Sequence, residues 1–579
     1  MPNHGELPEL AATVLQPGFA GTTAPDWVRR WLGEGLGGVA LFARNVESPA
    51  QVAALTAQLR AERPDVLVAI DEEAGDVTRF ESRHGSSRPG NLALGAIDDV
   101  LLTEEVARDL GADLADAGIT LDYAPDADVN SNAANPVIGV RAFGAEPQLV
   151  ARHSAAFVRG LQSAGVAACA KHFPGHGDTS VDSHHDVPLI DRDRAQLADC
   201  ELVPFRAAIE TGVRVVMTGH LLVPAYDTEL PATLSHKIMT GLLREELGFD
   251  GLIVTDGIEM QAVRRRYGLA GATVKALAAG VDAICVGGDH ADEQTAVLLR
   301  DAIVAAVRSG ELPEERLRAA ASRVNELGAW TTAAQTATGA RATADKARAT
   351  TDATRATADK ARVTADAARA TVGAAHSAAD AVGSAADAAR SAVDAAGATA
   401  DAAGSAREVA VLTRTDGVGF AAARRAARVT ATGDAPVLPV SEPPHVVEFA
   451  PPRNIAIGAE TPWGVGAPLD VLLPGTTSVR LGEEDLGAEP AATVLDGAAG
   501  RPLVLVVRDV HRHAWLADTL TAVLARRPDA IVVEMGVPET VTGAVHIATY
   551  GATRACGVAA AELIAGRSVP APAPQPLAA

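Results

Sequence analysis

The sequence predicts an α/β protein whose N-terminal part is a (β/α)8 barrel of the TIM type. Eight short, almost uninterrupted apolar runs recur in the first half of the chain, and segments with helical patterns separate them. Strands that are apolar throughout are typical of a parallel sheet covered by helices on its faces. Eight strand–helix units in about 300 residues fit a closed barrel, and a doubly wound open sheet is the alternative architecture.

The predicted strands and helices alternate along the chain. The strands are Ala12–Gln16, Gly38–Phe42, Val66–Ile70, Ile119–Tyr123, Val166–Ala170, Val213–Thr218, Gly251–Thr255 and Val281–Val286. The clearest helical patterns between them are Pro49–Glu62, Thr103–Ala117, Gln148–Ala164, Arg192–Thr211 and Lys237–Leu247. This alternation is typical of β-α-β units that build a parallel sheet.

Polar residues gather at one end of the predicted strands. Those that end or follow the apolar runs are Asp71, Asp122, Asp126, Asp128, Lys171, His172, Thr218, His220, Asp256 and Asp289, the last of them preceded by Gly287 and Gly288. Several runs are instead preceded by glycine, although Asp65 and Asp250 are exceptions. Because active sites of such barrels lie at the C-terminal ends of the strands, the asymmetry predicts a site there.

The densest group of titratable residues begins directly after the fifth strand. The stretch Lys171–His184 reads Lys-His-Phe-Pro-Gly-His-Gly-Asp-Thr-Ser-Val-Asp-Ser-His and holds one lysine, three histidines and two aspartates. Two glycines and a proline interrupt it. We therefore predict a loop that carries chemistry.

Composition limits the classes of partner. Lys and Arg number 50 and Asp and Glu 73, so the formal net charge is −23, and we expect no nucleic-acid and no membrane partner held by bulk charge. The four cysteines are scattered, which is typical of free thiols in a reducing compartment. The sequence has no evident signal peptide or membrane-spanning run, so we expect a cytoplasmic protein.

Asp182 and His184 are candidates for acid–base chemistry. A carboxylate beside an imidazole fixes its tautomer and raises its basicity, and a histidine held in this way can donate a proton and later accept one. His185 and Asp186 follow directly, so chemistry alone leaves open which histidine acts. A zinc site formed by Asp178, Asp182, His184 and Asp186 is an alternative. Otherwise we predict no metal and no cofactor.

Asp256 is the candidate nucleophile or substrate clamp. It follows Leu-Ile-Val-Thr and precedes a glycine, so its carboxylate is expected at the mouth of the barrel. Asp71 has the same placement after its own strand. Arg79 and Arg141 are candidate hydrogen-bond forks for ligand oxygens, the alternative being solvated surface charges.

Residues 335–407 consist mostly of Ala, Thr, Asp, Arg, Ser and Gly, in a pattern that repeats every seven residues. Nine units begin at Arg341, Arg348, Arg355, Arg362, Arg369, His376, Gly383, Arg390 and Gly397, and eight of them have aspartate at the fifth position. The high alanine content favours helix but makes a poor coiled-coil seam. We expect a semi-rigid, partly helical spacer. A disordered linker, or a coil that binds an unidentified partner, is the alternative.

Three domains follow from these patterns: a catalytic barrel at 1–334, the heptad-repeat spacer at 335–407 and a smaller C-terminal α/β domain at 408–579. In the last, we predict strands at Val504–Val507 and Ala530–Val533 with the helix Ala514–Arg527 between them. Shorter strands are predicted at Ile455–Ile457 and Val471–Leu473.

Several stretches together carry a family resemblance. They are Lys171–His184 with Pro188, the triplet Asp71-Glu-Glu, Thr255-Asp-Gly-Ile-Glu-Met260, Asn135–Gly144, Val216–His220 and Leu242–Asp256. The stretch Lys171–His184 resembles a motif of glycoside hydrolase family 3, in its β-N-acetylglucosaminidase branch. That motif reads Lys-His-Phe-Pro-Gly-His/Arg-Gly-Asp followed by Asp-Ser-His. The resemblance covers residues from about 10 to 330. Residues 504–511 and 533–536 resemble the C-terminal α/β domain of two-domain members, whereas the spacer has no counterpart.

The resemblance implies a retaining exo-β-N-acetylglucosaminidase that acts on short glycans or peptidoglycan fragments such as muropeptides. Asp256 would attack the anomeric carbon, and His184, oriented by Asp182, would act as acid and then as base. The residues that match the positions binding the non-reducing N-acetylglucosamine are Asp71, Arg79, Arg141, Lys171 and His172.

The sequence also departs from the family pattern. Glu72 stands where glutamine is usual, Ala74 where glycine is usual and Gly257 where an acidic residue is frequent, which leaves the sugar preference open. A β-glucosidase of the same family and a phosphorylase are alternative activities. A silent scaffold built around the spacer is the alternative from another class, and the intact Asp182, His184 and Asp256 speak against it.

Overall fold

The computed structural model describes residues 6–180, 187–288, 290–339, 415–431, 438–452, 454, 456–458, 461–498 and 500–567. Within these, the residues up to Gln335 and those from Asp416 onward pack into one compact unit. The predicted seven-residue repeat, from Arg341 onward, lies outside the described residues. So do Asp182, His184, His185 and Asp186.

The described residues of the N-terminal part form eight strands: β1 (Leu15–Pro17), β2 (Gly38–Leu41), β3 (Leu67–Ile70), β4 (Leu121–Asp122), β5 (Ala167–Phe173), β6 (Val215–Thr218), β7 (Leu252–Thr255) and β8 (Ile284–Val286). Each overlaps one predicted apolar run, so the prediction of eight strands is confirmed. The first strand begins later than predicted, at Leu15, because Ala12 and Thr13 end the helix Leu7–Thr13.

Helices cover this sheet, and most predicted helices are present. They are Leu7–Thr13, Asp26–Gly33, Pro49–Glu62, Asn91–Ile97, Val100–Asp116, Pro147–Ser163, Arg194–Asp199, Leu202–Glu210, Lys237–Glu246, Gln261–Ala279, Glu293–Ser309 and a helix at 314–339. The predicted single helix Arg192–Thr211 is divided in two, because the backbone of Cys200 leaves the helical region. Among the described residues, none of the helices is long and apolar enough to cross a bilayer.

The strands form a curled parallel sheet in chain order. Strands β2 to β7 make one continuous ladder, β1 pairs with β8, and a single bridge between Val254 and Ala283 joins the two groups. This sequential order differs from the doubly wound alternative, in which the order reverses. Between β1 and β2, both fully described, no hydrogen-bonded ladder is present. There Arg44 donates to the carbonyls of Phe19 and Gly288, at 3.1 and 3.0 Å, and ties the strand ends together.

Alternate strand residues pack into two separate clusters. The inner cluster contains Ala40, Leu67, Ala69, Leu121, Cys169, Val215, Met217, Leu252 and Val254. Their strand neighbours pack with the helices and include Val39, Leu41, Val68, Ile70, Ala168, Val216 and Ile253. Both faces of the sheet are therefore buried, which explains why its strands read as continuous apolar runs.

Where the C-terminal part is described, it forms six strands: β9 (Arg428–Ala431), β10 (His445–Phe449), β11 (Thr477–Leu481), β12 (Leu503–Val507), β13 (Ile531–Glu534) and β14 (Val545–Ala548). Their order is β11-β10-β12-β13-β14-β9, with only β9 antiparallel. The helices are Val418–Ala426, Gly466–Leu472, Pro490–Leu495, Ala514–Leu524 and Arg554–Ile564. The predicted α/β fold of the C-terminal part is confirmed, and the bounds 408–579 stay a prediction.

Two short predicted strands of this part are wrong. Val471 and Leu472 close the helix Gly466–Leu472, and Leu473 is its C-terminal cap. Ala456 and Ile457 lie in a turn, and Ile455 is outside the described residues. Three apolar residues in a row are too short a pattern to separate a strand from a helix end or a turn.

The two parts of the unit are held together by buried polar contacts. The carboxylate of Asp76, in the N-terminal part, accepts hydrogen bonds from the Arg508 guanidinium and from the Ala552 N–H group, the latter at 2.8 Å. At the periphery, Arg425 pairs with Asp99 at 2.9 Å. The C-terminal part therefore packs directly on the N-terminal part, at the turn that follows β3.

Candidate active site

The C-terminal ends of the strands surround a cavity of about 340 Å3. Six residues that the sequence predicts for the site line it: Asp71, Arg79, Arg141, Lys171, His172 and Asp256. The other two, Asp182 and His184, lie outside the described residues, so their roles stay predictions. Ala456, from the C-terminal part, also contributes to the wall.

Lys171 and His172 are part of strand β5 rather than of a loop. All seven residues of β5, from Ala167 to Phe173, are buried. The prediction of a chemical loop starting at Lys171 is therefore corrected: the strand itself carries the first two polar side chains into the cavity. Strand geometry fixes them more rigidly than a loop would.

The ammonium group of Lys171 lies between two carboxylates. Its Nζ is 2.6 Å from Asp71 Oδ1 and 2.8 Å from Glu73 Oε1. Burial opposes the charged form of the lysine, but the two carboxylates outweigh it and raise the pKa of Lys171 above its ordinary value. Lys171 is therefore a permanent cation at the floor of the cavity.

Arg141 is the second buried cation, and Glu73 is its main partner. The guanidinium forms a fork with the Glu73 carboxylate, with Nε 2.9 Å from Oε2 and Nη2 2.7 Å from Oε1. Burial would raise the pKa of Glu73, but the charges of Arg141 and Lys171 hold it well below its usual range. Glu73 therefore bridges the two cations and fixes their separation.

His172 is held in one tautomer. Its Nδ1 is 2.7 Å from Asp128 Oδ2, and its Nε2 is 3.3 Å from Arg141 Nη2. Because a guanidinium can only donate, Nε2 must accept, and Nδ1 carries the proton that is donated to Asp128. Asp128 also accepts from the backbone N–H groups of His172 and His176, at 3.2 and 2.6 Å. This buried carboxylate therefore orients the whole end of β5.

The sequence pattern predicts no role for Glu73 or Asp128. Glu73 belongs to the triplet Asp71-Glu-Glu and Asp128 follows the fourth apolar run, but the pattern pairs neither with a cation. A signal was available for Glu73, because it lies two residues after Asp71 and side chains two apart share a side of an extended chain. Two buried cations, Lys171 and Arg141, require such counter-charges.

Asp256 follows β7 directly and is half-buried. Its Oδ1 accepts from the N–H group of Gly257 at 2.7 Å, and its own N–H group donates to the Thr218 carbonyl at 3.2 Å. His220 supports this turn: its Nε2 lies 3.0 Å from the Gly257 carbonyl, which can only accept. Strand β6 therefore holds the turn on which the Asp256 carboxylate enters the cavity.

Arg79 reaches the cavity from the turn that follows β3. That turn is organised by the buried carboxylate of Glu72, which accepts from Thr78 Oγ1 at 2.9 Å and from the N–H groups of Arg79 and Phe80 at 2.8 Å each. Burial raises the pKa of Glu72 to about 7. The Arg79 guanidinium donates to the Ala456 carbonyl at 2.9 Å.

One described cluster has the spacing of metal ligands. Asp126, Asp128 and His172 are all buried, and their ligand atoms lie within 4.8 Å of one another. The Arg141 guanidinium already supplies a positive charge there, at 3.6 Å from Asp126 and 3.3 Å from His172. Of the zinc ligands considered from sequence, Asp178 alone is described, and it pairs with Arg192 at 2.6 Å.

The cavity thus combines a buried network of cations and carboxylates with the Asp256 carboxylate at the end of β7. Charged forks and imidazole nitrogens of this kind suit the hydroxyl and amide oxygens of a sugar, and the Asp256 carboxylate suits attack on its anomeric carbon. A site of this composition at the strand ends of a curled parallel sheet has the groups needed to bind a sugar and to attack its anomeric carbon.

Comparison with known proteins specifies the class. Residues 22–327 match the model of the glycosyl hydrolase family 3 N-terminal domain, so the chain belongs to glycosyl hydrolase family 3. It is 41% identical over 286 residues to a β-hexosaminidase of Nitrosomonas eutropha, which covers 48% of this chain and 81% of that relative. It is 36% identical over 321 residues to β-hexosaminidase A of Pseudoalteromonas piscicida, and this match covers 50% of this chain and 53% of that relative.

The fold comparison extends to the whole chain. A solved glycoside hydrolase family 3 β-N-acetylglucosaminidase from Paenibacillus sp. str. FPU-7 superposes with a TM-score of 0.76 at 30% identity, and the match covers 97% of both chains. The resemblance to this family that the sequence carries is therefore confirmed, together with the expectation of a glycoside hydrolase.

Proposed function

We propose that the protein is a retaining exo-β-N-acetylglucosaminidase that removes terminal non-reducing N-acetylglucosamine from short glycans or peptidoglycan fragments. The observation that carries this proposal is the Asp256 carboxylate at the end of β7, in the same cavity as the Lys171–Glu73–Arg141 network. The β-hexosaminidase and β-N-acetylglucosaminidase relatives support the choice of sugar.

In this proposal the buried network holds the sugar. Asp71, Arg79, Arg141, Lys171 and His172 bind its oxygens, and Glu73 and Asp128 keep the cations and the imidazole in place. A cavity of about 340 Å3 is at the small end of the range for ligand pockets. That size suits one terminal sugar ring, which is why we propose exo action rather than cleavage within a chain.

The chemistry proceeds in two displacements. An Asp256 oxygen attacks the anomeric carbon while the bond from that carbon to the leaving oxygen breaks, and His184 gives its proton to the leaving oxygen. Water then attacks the glycosyl-enzyme, His184 takes a proton from it, and Asp256 is released. Most retaining glycosidases use two carboxylates for these tasks. Here Asp182 and His184 replace the second one.

The proposal is tested by a comparison of chromogenic substrates in phosphate-free buffer. We expect rapid release from the aryl N-acetyl-β-glucosaminide and slow release from the matching β-glucoside. Added phosphate should leave the rate unchanged, with free N-acetylglucosamine as the product. Faster cleavage of the glucoside would favour the β-glucosidase alternative, and N-acetylglucosamine 1-phosphate as the product would favour the phosphorylase.

A matched pair of variants makes the test specific to the site. Asp256→Asn removes the attacking carboxylate, whereas Asp250→Asn changes an exposed aspartate at the opposite end of the same strand. We expect activity to be lost in the first variant and kept in the second. Equal activity in both would contradict the proposed nucleophile.

A further inference from the structure

The segment that follows β10 in the C-terminal part reaches the cavity of the N-terminal part. Two of its residues make direct polar contacts there. The side-chain amide of Asn454 donates to the Val137 carbonyl, and the Ala456 carbonyl accepts from the Arg79 guanidinium at 2.9 Å. Ala456 also lines the cavity itself. The wall of the site is therefore built by both parts of the chain.

These two contacts help to position both arginines of the cavity. The Arg79 guanidinium donates directly to the Ala456 carbonyl. Arg141 and Asn454 share an acceptor, the Val137 carbonyl oxygen. Arg141 Nη1 donates to it at 3.1 Å, and the Asn454 side-chain amide donates to it as well. Asn454 thus fixes a carbonyl group that in turn fixes the Arg141 side chain.

The segment is shaped to present these groups. Oδ1 of Asn454 accepts from the Ala456 N–H group at 2.9 Å, and the Asn454 carbonyl accepts from the Ile457 N–H group at 3.0 Å. This is an Asx turn, in which an asparagine side chain replaces a backbone acceptor. The Asn454 side-chain amide therefore makes two different hydrogen bonds. Its oxygen stabilises the turn that orients the Ala456 carbonyl, and its nitrogen donates to the Val137 carbonyl.

The domain that carries the segment is anchored close by. Arg508 follows β12 and binds the buried Asp76 carboxylate of the N-terminal part. Its guanidinium also lies 5.2 Å from the ring centre of Trp463, which Arg480 covers at 4.6 Å. With the domain fixed in this way, the Asn454 turn has a defined position relative to both arginines.

We propose that Asn454 and Ala456 are positioning residues, through which the C-terminal domain sets the guanidinium groups of Arg79 and Arg141 for substrate binding. This inference rests on the proposed function, in which both arginines bind the sugar. It gives the C-terminal domain a task in the reaction without contact between Asn454 and the reacting atoms. Loss of the turn would weaken substrate binding and leave the chemical step unchanged.

The test is a KM-against-kcat comparison in the full-length protein. Asn454→Ala removes both tasks of the amide, so we expect KM to rise about three- to tenfold, the range for one or two lost uncharged hydrogen bonds, with kcat changed less than twofold. Asn454→Ser keeps a short acceptor for the Ala456 N–H group and should recover part of the loss. Asn325→Ala is the control, since Asn325 binds Arg63 away from the cavity.

Two further variants separate this inference from the proposed function. Arg79→Lys and Arg141→Lys keep the charge but lose the fork, and each should raise KM. Adding Asn454→Ala to either should then cost less than it does in the wild-type protein, because part of its effect passes through that arginine.

The outcomes are distinct. If both arginine variants bind substrate normally, the proposed sugar-binding roles are wrong and the inference falls with them. If the arginine variants are impaired but Asn454→Ala has the KM of the wild type, or its effect is fully additive with theirs, the positioning inference alone is overturned. A fall in kcat at constant KM in Asn454→Ala would also overturn it.

Discussion

The guanidinium of Arg141 and the carboxylate of Glu73 form a two-bond fork in which both side chains are at least 95% buried. Removing one partner of a buried pair leaves an uncompensated charge, which typically costs about 3–5 kcal/mol. Glu73 also neutralises Lys171, so the fork organises the floor of the cavity.

Glu73→Gln should therefore destabilise the protein by about 3 kcal/mol or more and raise KM, since both cations lose part of their compensation. Thermal or urea unfolding measures the first effect. Glu62→Gln is the control, because Glu62 pairs with Arg29 at 2.8 Å on the surface, where such a pair is worth at most about 1 kcal/mol. Equal losses in the two variants would contradict the organising role of Glu73.

Glu72 predicts a pH dependence of stability. Burial raises its pKa from 4.5 to about 7, so between these values the folded state binds a proton that the unfolded state has lost. The contribution of this bound proton to the free energy of unfolding is complete below about pH 4.5 and disappears as the pH rises through 7. The difference of about 2.5 pKa units corresponds to a few kcal/mol, on the order of 3.

Glu72→Gln removes this dependence while keeping an oxygen for Thr78, Arg79 and Phe80. We expect the variant to be more stable than the wild type at pH 8 and to lose that advantage at pH 5. Urea unfolding of both proteins at the two pH values gives the difference directly, and other titrating groups cancel in it. A difference that does not change with pH would show that Glu72 is ionised throughout.

Much of the site could be predicted from the sequence because parallel strands bring their C-terminal ends to one edge. Lys171 and Asp256 were found in this way, since each follows an apolar run. The pairing of Glu73 with Arg141 could not be predicted from the sequence, because it joins residues 68 positions apart and depends on which side chains are buried.

The C-terminal part was harder to predict for a different reason. Strand β11 is an edge strand whose first four residues are exposed, so it lacks the apolar run that marks a central strand. Strand β10 is fully buried but contains His445 and Glu448, whose partners Thr477 and Arg480 lie on β11. A single sequence does not reveal that these polar residues satisfy each other.

The spacer should contribute little to the core of the N-terminal part, because its apolar positions are mostly alanine. Deleting residues 341–403 removes nine whole repeats and should leave the melting temperature and most of the activity unchanged. Activity and thermal unfolding of the shortened protein measure this. Loss of soluble protein would show instead that the repeat packs against a domain or drives assembly.

The identity of the proton donor can be tested by changing the leaving group. The i, i+2 spacing in the sequence predicts His184 on the same side of the chain as Asp182, and His185 on the other. His184→Ala should lose about 10²–10⁴-fold in rate on a substrate with a poor leaving group and less on an activated aryl glycoside. His185→Ala should cost little on either. The reverse pattern would assign the role to His185.

The most direct test of the proposed mechanism is mass spectrometry of the protein after reaction with a fluorinated N-acetylglucosamine donor whose glycosyl-enzyme is hydrolysed slowly. We expect a mass increase of one sugar residue on the peptide that contains Asp256, its absence in Asp256→Asn, and its presence in Asp250→Asn. A stable adduct on another carboxylate, or turnover with inversion at the anomeric carbon and no adduct, would contradict Asp256 as the nucleophile.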